Sequence, residues 1–239
     1  MITITNLTKR YGNLIAVDNL TLTIPDNQVF ALLGVNGAGK TTTIKMLTGL
    51  VPKDNGAIFY DNLSMDTHLK QIQQQINLSP QETAIAENLT AWENINFIAQ
   101  IYGMSPTDAK TKTAQLVEQF DLTTAANKLA KTLSGGTKRR LSIAMALVTN
   151  PKVLFLDEPT LGVDVLCRNQ LWKLIEQLKC QTTIVLTTHY MEEAERLADT
   201  VAVMNEGKIV ALGTSKQLMA QTQTSSLEQA FIKIVEGAV

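Results

Sequence analysis

The sequence predicts an α/β fold, a parallel sheet interrupted by an inserted helical block. Three observations predict it. The apolar run VFALL over Val29–Leu33 has the length of a buried strand and leads through glycine-rich sequence into a helical pattern. After Pro151 strand texture returns in VLFL and again in TIVLTT, each followed by a polar loop and a helical pattern, the alternation that builds a parallel sheet. Between these strand-rich stretches, residues 89–148 read as helical throughout.

From the N-terminus, ITITNL and then LTLTI at 20–24 alternate apolar with polar residues, as half-exposed strands do. In TTTIKMLTGL, Ile44, Leu47 and Val51 recur at near-helical spacing, and Pro52 with Gly56 marks the stop. Thr90-Ala91-Trp92-Glu93 is a capping box, with Ile95, Ile98, Ile101 and Tyr102 along one face of the helix it starts. Another helix follows Pro106 and buries Leu116, Val117 and Phe120. Glu192, Glu193, Glu195 and Arg196 read as a solvated helix face, opposite Met191, Ala194 and Leu197. From Val201 the chain predicts a hairpin turning near Asn205-Glu206-Gly207, then a helix containing Leu227, Phe231 and Ile234. The expected organisation is one domain over 1–239: a core from 1–88 and 150–220, a helical subdomain at 89–149 and a C-terminal helix at 221–239.

With 21 basic and 22 acidic side chains the formal charge is −1, so no basic excess points to nucleic acid or anionic lipid as the main partner. Cys167 and Cys180 form no Cys-x-x-Cys or Cys/His cluster, which fits neither a zinc site nor a disulfide framework and predicts two thiols in a reducing cytosol. No segment approaches the ~18 consecutive apolar residues of a membrane span, and the N-terminus lacks the pattern of a secretory leader. The expected location is therefore cytoplasmic, with any membrane association through a partner.

Gly34-Val35-Asn36-Gly37-Ala38-Gly39-Lys40-Thr41 fits G-x-x-x-x-G-K-[ST] and lies where the physics requires, between a buried strand and a helix. Glycines let backbone N–H groups curl round a phosphate, and the helix N-terminus adds partial positive charge. Lys40 reaches the β- and γ-phosphates, and Thr41 offers a hydroxyl to Mg²⁺. Thr42 continues this nucleotide-binding segment. The strand Val153-Leu154-Phe155-Leu156 ends in Asp157 and Glu158, at the position of the ligand crevice in an α/β sheet. Asp157 is expected to hold Mg²⁺, directly or through water, and Glu158 to orient the water that attacks the γ-phosphate.

Leu133-Ser134-Gly135-Gly136-Thr137-Lys138-Arg139-Arg140 resembles the signature segment of the ABC ATPases, and Tyr11, Gln81 in LSPQE, EPTLGVD and His189 in TTHYMEEAERLAD stand around it in the family's order. The resemblance implies a RecA-like P-loop NTPase core with an N-terminal antiparallel β subdomain and an inserted α-helical subdomain. It also implies that Ser134, Gly135 and Gly136 bind the γ-phosphate of a nucleotide held by the other subunit, so that two sites form only in a head-to-tail dimer. Thr137 stands where many family members carry Gln. By the same resemblance Tyr11 stacks on adenine, His189 contacts the γ-phosphate, Gln81 touches Mg²⁺ and the attacking water beside the membrane subunit, and Asp164 crosses the dimer interface.

The implied function is an ATP-hydrolysing motor subunit that binds ATP and Mg²⁺, pairs with a copy of itself or an equivalent second ATPase, and drives a transmembrane permease from its cytoplasmic face. LTAWENINFIAQIYGM, LSGGTKRRL, EPTLGVD and SLEQAFIKI resemble the subfamily paired with ABC-2 type export permeases. Two alternatives are a non-transport ABC ATPase acting on nucleic acid or ribosomes, and a P-loop small-molecule kinase. The first usually carries two cassettes, large insertions or basic arms, none of which is visible; the second has no use for LSGGT or for a water-orienting Glu158.

Overall fold

The computed structural model describes residues 1–237. The chain opens with β1 (Ile2–Tyr11), β2 (Leu14–Ile24), β3 (Val29–Leu33), α1 (Lys40–Leu47), β4 (Asn55–Tyr60), β5 (Leu63–Ser64), α2 (Met65–Gln73) and β6 (Ile76–Ser79). The helical block follows as α3 (Ala91–Ile101), α4 (Pro106–Gln119) and α5 (Gly135–Ala146). The remainder is β7 (Val153–Asp157), α6 (Val165–Leu178), β8 (Thr183–Thr188), α7 (Met191–Leu197), β9 (Thr200–Asn205), β10 (Lys208–Gly213), α8 (Ser215–Thr222) and α9 (Leu227–Val235).

These strands form two sheets, a four-stranded one in the order β2-β1-β4-β5 and a six-stranded one in the order β10-β9-β3-β8-β7-β6. The first is antiparallel throughout; in the second every pairing is parallel except β9 with β10. Strand β3 lies between β8 and β9 and is buried on both faces, which is why its sequence is apolar without alternation. Val29, Ala31 and Leu33 pack into the core shared with the helical block and α6, whereas Phe30 and Leu32 pack into the core shared with β1, β2 and α1. Leu154 and Leu156 of β7 divide from Val153 and Phe155 in the same way. Full burial of a Phe or Leu is worth about 1.5–3 kcal/mol, so this sheet is anchored from both sides.

Several expectations need correction. Helix α1 stops at Leu47 because Gly49 takes a left-handed φ of 72°, so Val51 lies beyond it. The stretch 89–148 is not helical throughout: between α4 and α5 the chain runs through two short 3₁₀ turns, at Thr123–Ala125 and Ala130–Thr132. The capping box at Thr90 and Glu93 is present, but of the face it starts, Ile95 is buried while Ile101 and Tyr102 are exposed. Glu193, expected on a solvated face, is fully buried because Trp172 of α6 and Thr160 reach it. The C-terminal helix expected within 221–239 is α9, which starts only at Leu227, where Ser226 caps it, and ends at Val235; Gln223, in a left-handed conformation, separates it from α8, and residues 238–239 lie outside the described residues.

Candidate active site

The loop between β3 and α1 is fixed by close backbone approach. A Cβ at Gly34 would stand 2.4 Å from the Met204 carbonyl oxygen, and one at Gly39, where φ is 107°, would stand 2.3 Å from that of Ala16. Only glycine fits there. The Gly207 N–H donates to the Ala38 carbonyl at 2.9 Å, so the β9–β10 turn braces the loop. Helix α1 starts at Lys40 with no side-chain cap, which leaves its first N–H groups for an anion.

The Lys40 ammonium is almost fully buried and donates to the carbonyls of Gly34 at 2.7 Å and Val35 at 3.1 Å. It also lies 3.3 Å from Oε1 of Glu158. The other oxygen of that carboxylate accepts from Nδ1 of His189 at 2.8 Å. Glu158 sits at a φ of 49°, a region costly for a residue with a long side chain. Its N–H donates to the Thr187 carbonyl at 3.2 Å and to Thr187 Oγ1 at 3.0 Å, and its carbonyl accepts from Arg139.

Asp157, at the end of β7, accepts hydrogen bonds at Oδ1 from Thr41 Oγ1 at 3.0 Å and Thr187 Oγ1 at 2.6 Å. A carboxylate and a threonine hydroxyl side by side are the hard oxygen donors that suit Mg²⁺, which is held by one or two carboxylates with phosphate and water completing the shell. The set fits. Among the described residues no group of three or more His, Cys, Asp or Glu side chains could hold a metal without such help.

Lys40, Thr41, Glu158 and His189 border a cleft of about 630 Å³, within the range of small-molecule sites, and Asp157 stands behind Thr41 without lining it. Tyr11, at the end of β1, forms one wall with its ring about half exposed and the Lys9 ammonium 5.5 Å from the ring centroid. Residues 36–42, Gln81, Glu158 and His189 also line it. The expected glycine loop, Tyr11, Gln81, Glu158 and His189 are therefore brought together. Ser134, Gly135 and Gly136 are not among the residues lining this cleft; Ser134 instead caps α5, its Oγ accepting from the Thr137 N–H at 3.3 Å. Asp164 caps α6 through the N–H groups of Leu166 and Cys167, bonds that hold its carboxyl below the usual range.

Sequence reasoning missed part of the site. Leu14, Ile15 and Ala16 extend the apolar wall beside Tyr11, and Glu206 reaches the rim from the β9–β10 turn. Leu14 and Ile15 are exposed at the start of β2, a property that their apolar character in the sequence does not reveal. Thr187 carried no signal, and Arg139 stood in the signature segment without a sign of its own contacts, because each acts through distant segments.

The profile of the ABC transporter family matches residues 17–161. The linearmycin resistance ATP-binding protein LnrL of Bacillus subtilis (strain 168) is 36% identical over 241 residues, covering 97% of this chain and 78% of that protein. The daunorubicin/doxorubicin resistance ATP-binding protein DrrA of Streptomyces peucetius is 39% identical over 222 residues, covering 92% of this chain and 67% of that one. Among solved structures, the dimeric structure of MJ0796, a bacterial ABC transporter cassette, superposes with a TM-score of 0.81 at 25% identity, covering 90% of this chain and 98% of that chain.

Proposed function

Because the chain belongs to the ABC transporter family and is one of its ATP-binding, ATP-hydrolysing cassettes, we propose that it powers an exporter, closing with a second cassette around two ATP molecules to drive a separate ABC-2 type permease. The observation that carries this reading is the contact of Lys40 and His189 with the two oxygens of one buried carboxylate, Glu158, at the edge of a nucleotide-sized cleft. Export is supported by the resistance functions in the names of LnrL and DrrA.

In this reading the triphosphate takes the backbone N–H groups of 36–41 and the α1 N-terminus, and its γ-phosphate competes with Glu158 for the Lys40 ammonium. Glu158 Oε1 is thereby released to orient the attacking water. His189 faces the γ-phosphate from beside Glu158, while Tyr11 stacks on adenine next to Leu14 and Ile15. Thr41, Asp157 and Gln81 would hold Mg²⁺, which would supply positive charge to offset the negative charge developing on the phosphates. The α5 N-terminus, with Ser134, Gly135 and Gly136, is offered to the partner's γ-phosphate, which suits the exposure of Ser134 and Gly135 outside the cleft of their own chain, while Gly136 is buried against Cys167.

No described helix is long and apolar enough to cross a membrane, which fits a subunit held at the cytoplasmic face by its permease. A second cleft, of about 670 Å³, lies beside the Gln81 loop and is bordered by Leu50, Leu78, Ala84 and Tyr102; it suits an apolar segment of that permease. The alternative of action on nucleic acid lacks a basic surplus, the formal charge being −1.

Glu158→Gln tests the assignment. Hydrolysis should slow by roughly 10²-fold or more while ATP still binds. The trapped ATP should then shift the protein from monomer to dimer in sizing chromatography, whereas ADP, which lacks the bridging phosphate, should not. Adding Ser134→Arg should abolish the shift. Undiminished hydrolysis in Glu158→Gln would refute the role given to Glu158.

A further inference from the structure

Arg139 is a buried cation that the chemistry described above does not use. It projects from α5, one turn beyond the Ser134 cap, and its side chain is 4% exposed. Nη1 donates to the Pro80 carbonyl at 2.7 Å, and Nη2 donates to the Gln81 carbonyl at 2.7 Å and the Glu158 carbonyl at 3.3 Å. One guanidinium thus ties together three segments far apart in sequence: the helix offered to the partner's nucleotide, the loop carrying Gln81, and the strand end carrying Glu158. Burial lowers its pKa, while the carboxylates of Asp157, Glu193 and Glu158 oppose that shift.

The geometry explains why an arginine stands here. A planar fork with five donors can hold carbonyls on two segments at once, whereas an ammonium on a flexible stem acts as a point charge. The contacts are all to backbone, so they fix where the chain runs rather than which side chains it carries. At Glu158 the backbone already adopts a φ of 49° and needs support from outside its own strand.

We propose that Arg139 is a positioning residue for hydrolysis, one that transmits the seating of α5 against the partner's nucleotide to the backbone aiming Glu158 and Gln81. The proposal rests on the roles assigned to Glu158 and to the α5 N-terminus under the proposed function. Arg139 touches neither ATP nor the reacting atoms in its own chain; it acts through the two loops. A coupling role of this kind predicts a loss in the chemical step with little loss in nucleotide binding.

The test is single-turnover ATP hydrolysis and nucleotide affinity for Arg139→Met and Arg139→Lys in the purified full chain, alone and combined with Glu158→Gln. Both single variants should hydrolyse about tenfold or more slowly while nucleotide affinity changes by less than about threefold. Because Arg139 works in part through Glu158, adding Arg139→Met to Glu158→Gln should slow hydrolysis by clearly less than the product of the two single defects. A role confined to folding would instead lower thermal stability and multiply with the Glu158 defect. Should Arg139→Met fail to fold, Arg139→Lys, which keeps the charge and most of the volume, carries the same measurement. A folded Arg139→Lys or Arg139→Met protein with the wild-type rate overturns the proposal, as does a defect that multiplies with Glu158→Gln. Wild-type hydrolysis by Glu158→Gln alone overturns the underlying role of Glu158 instead, so the two failures are separable.

Discussion

At the scale of single residues, the buried carboxylates behind the cleft differ in what they face. Glu158 has Lys40 and His189 on its two oxygens, whereas Glu193 receives Thr160 and Trp172 on Oε1 and, among the described residues, has no hydrogen-bond partner at Oε2. Burial raises the Glu193 pKa above 4.5, against the lowering effect of its hydrogen bonds. The folded state therefore holds this proton more tightly than the unfolded chain. The associated stability is fully present below the unfolded value, and it is lost as pH rises through the folded one. Glu193→Gln mimics the neutral acid, so the melting temperature of the wild type should fall relative to this variant as pH is raised from 4 to 8. Parallel melting curves across that range would show that Glu193 carries no such shift. Glu158 was legible in the sequence because an apolar strand announces the carboxylates at its end. Glu193 was not, because its neighbours Glu192 and Glu195 suggested a solvated face and the partners that bury it come from elsewhere in the chain.

Local signals carried furthest at the scale of elements. The start of α3 was legible because both halves of its cap lie within four residues: the Glu93 N–H donates to Thr90 Oγ1 at 3.1 Å and the Thr90 N–H to Glu93 Oε2 at 2.8 Å. Thr90→Ala should cost about 1 kcal/mol, read as a loss of roughly 2–4 °C in melting temperature with basal hydrolysis unchanged. An unchanged melting temperature would mean that the cap is not holding the helix. The region from β4 to β6 gave no such signal. Strand β5 has only two residues, and β4 is buried at alternate positions only from Ile58 onward. The 3₁₀ turns before α5 were hidden for a related reason: Ala125 and Ala130 are buried, so their apolar character matched the helices on either side.

For the whole molecule, the segment between β6 and α3 connects the nucleotide cleft to the surface proposed for the permease. Gln81 borders the nucleotide cleft and Ala84 the neighbouring one. Asn94 of α3 holds this segment by accepting from the Ala86 N–H at 2.8 Å and donating to its carbonyl at 3.1 Å. Disruptive substitutions at 84–87 should leave basal hydrolysis largely intact and weaken both reconstituted transport and its stimulation of hydrolysis. Survival of both would place the permease contact elsewhere. The overall α/β plan was legible because buried strands and glycine turns are written locally, whereas the joining of Gln81, Glu158 and α5 by Arg139 exists only once the chain has folded.

The central place of β3 has a consequence for how the chain is made. Its two neighbours in the sheet, β8 and β9, both come from the last third of the sequence, and Ala31 pairs with Leu186 on one side and Val201 on the other. The phosphate loop leaves the ribosome early yet has no flanking strands until these have followed, an interval of roughly 10–30 s at ordinary elongation rates. During that interval the apolar β3 needs shelter from its surroundings, and ATP cannot stabilise a nascent chain whose binding loop has no frame. Nucleotide binding thus becomes possible only after the strands that enclose the loop have been synthesised.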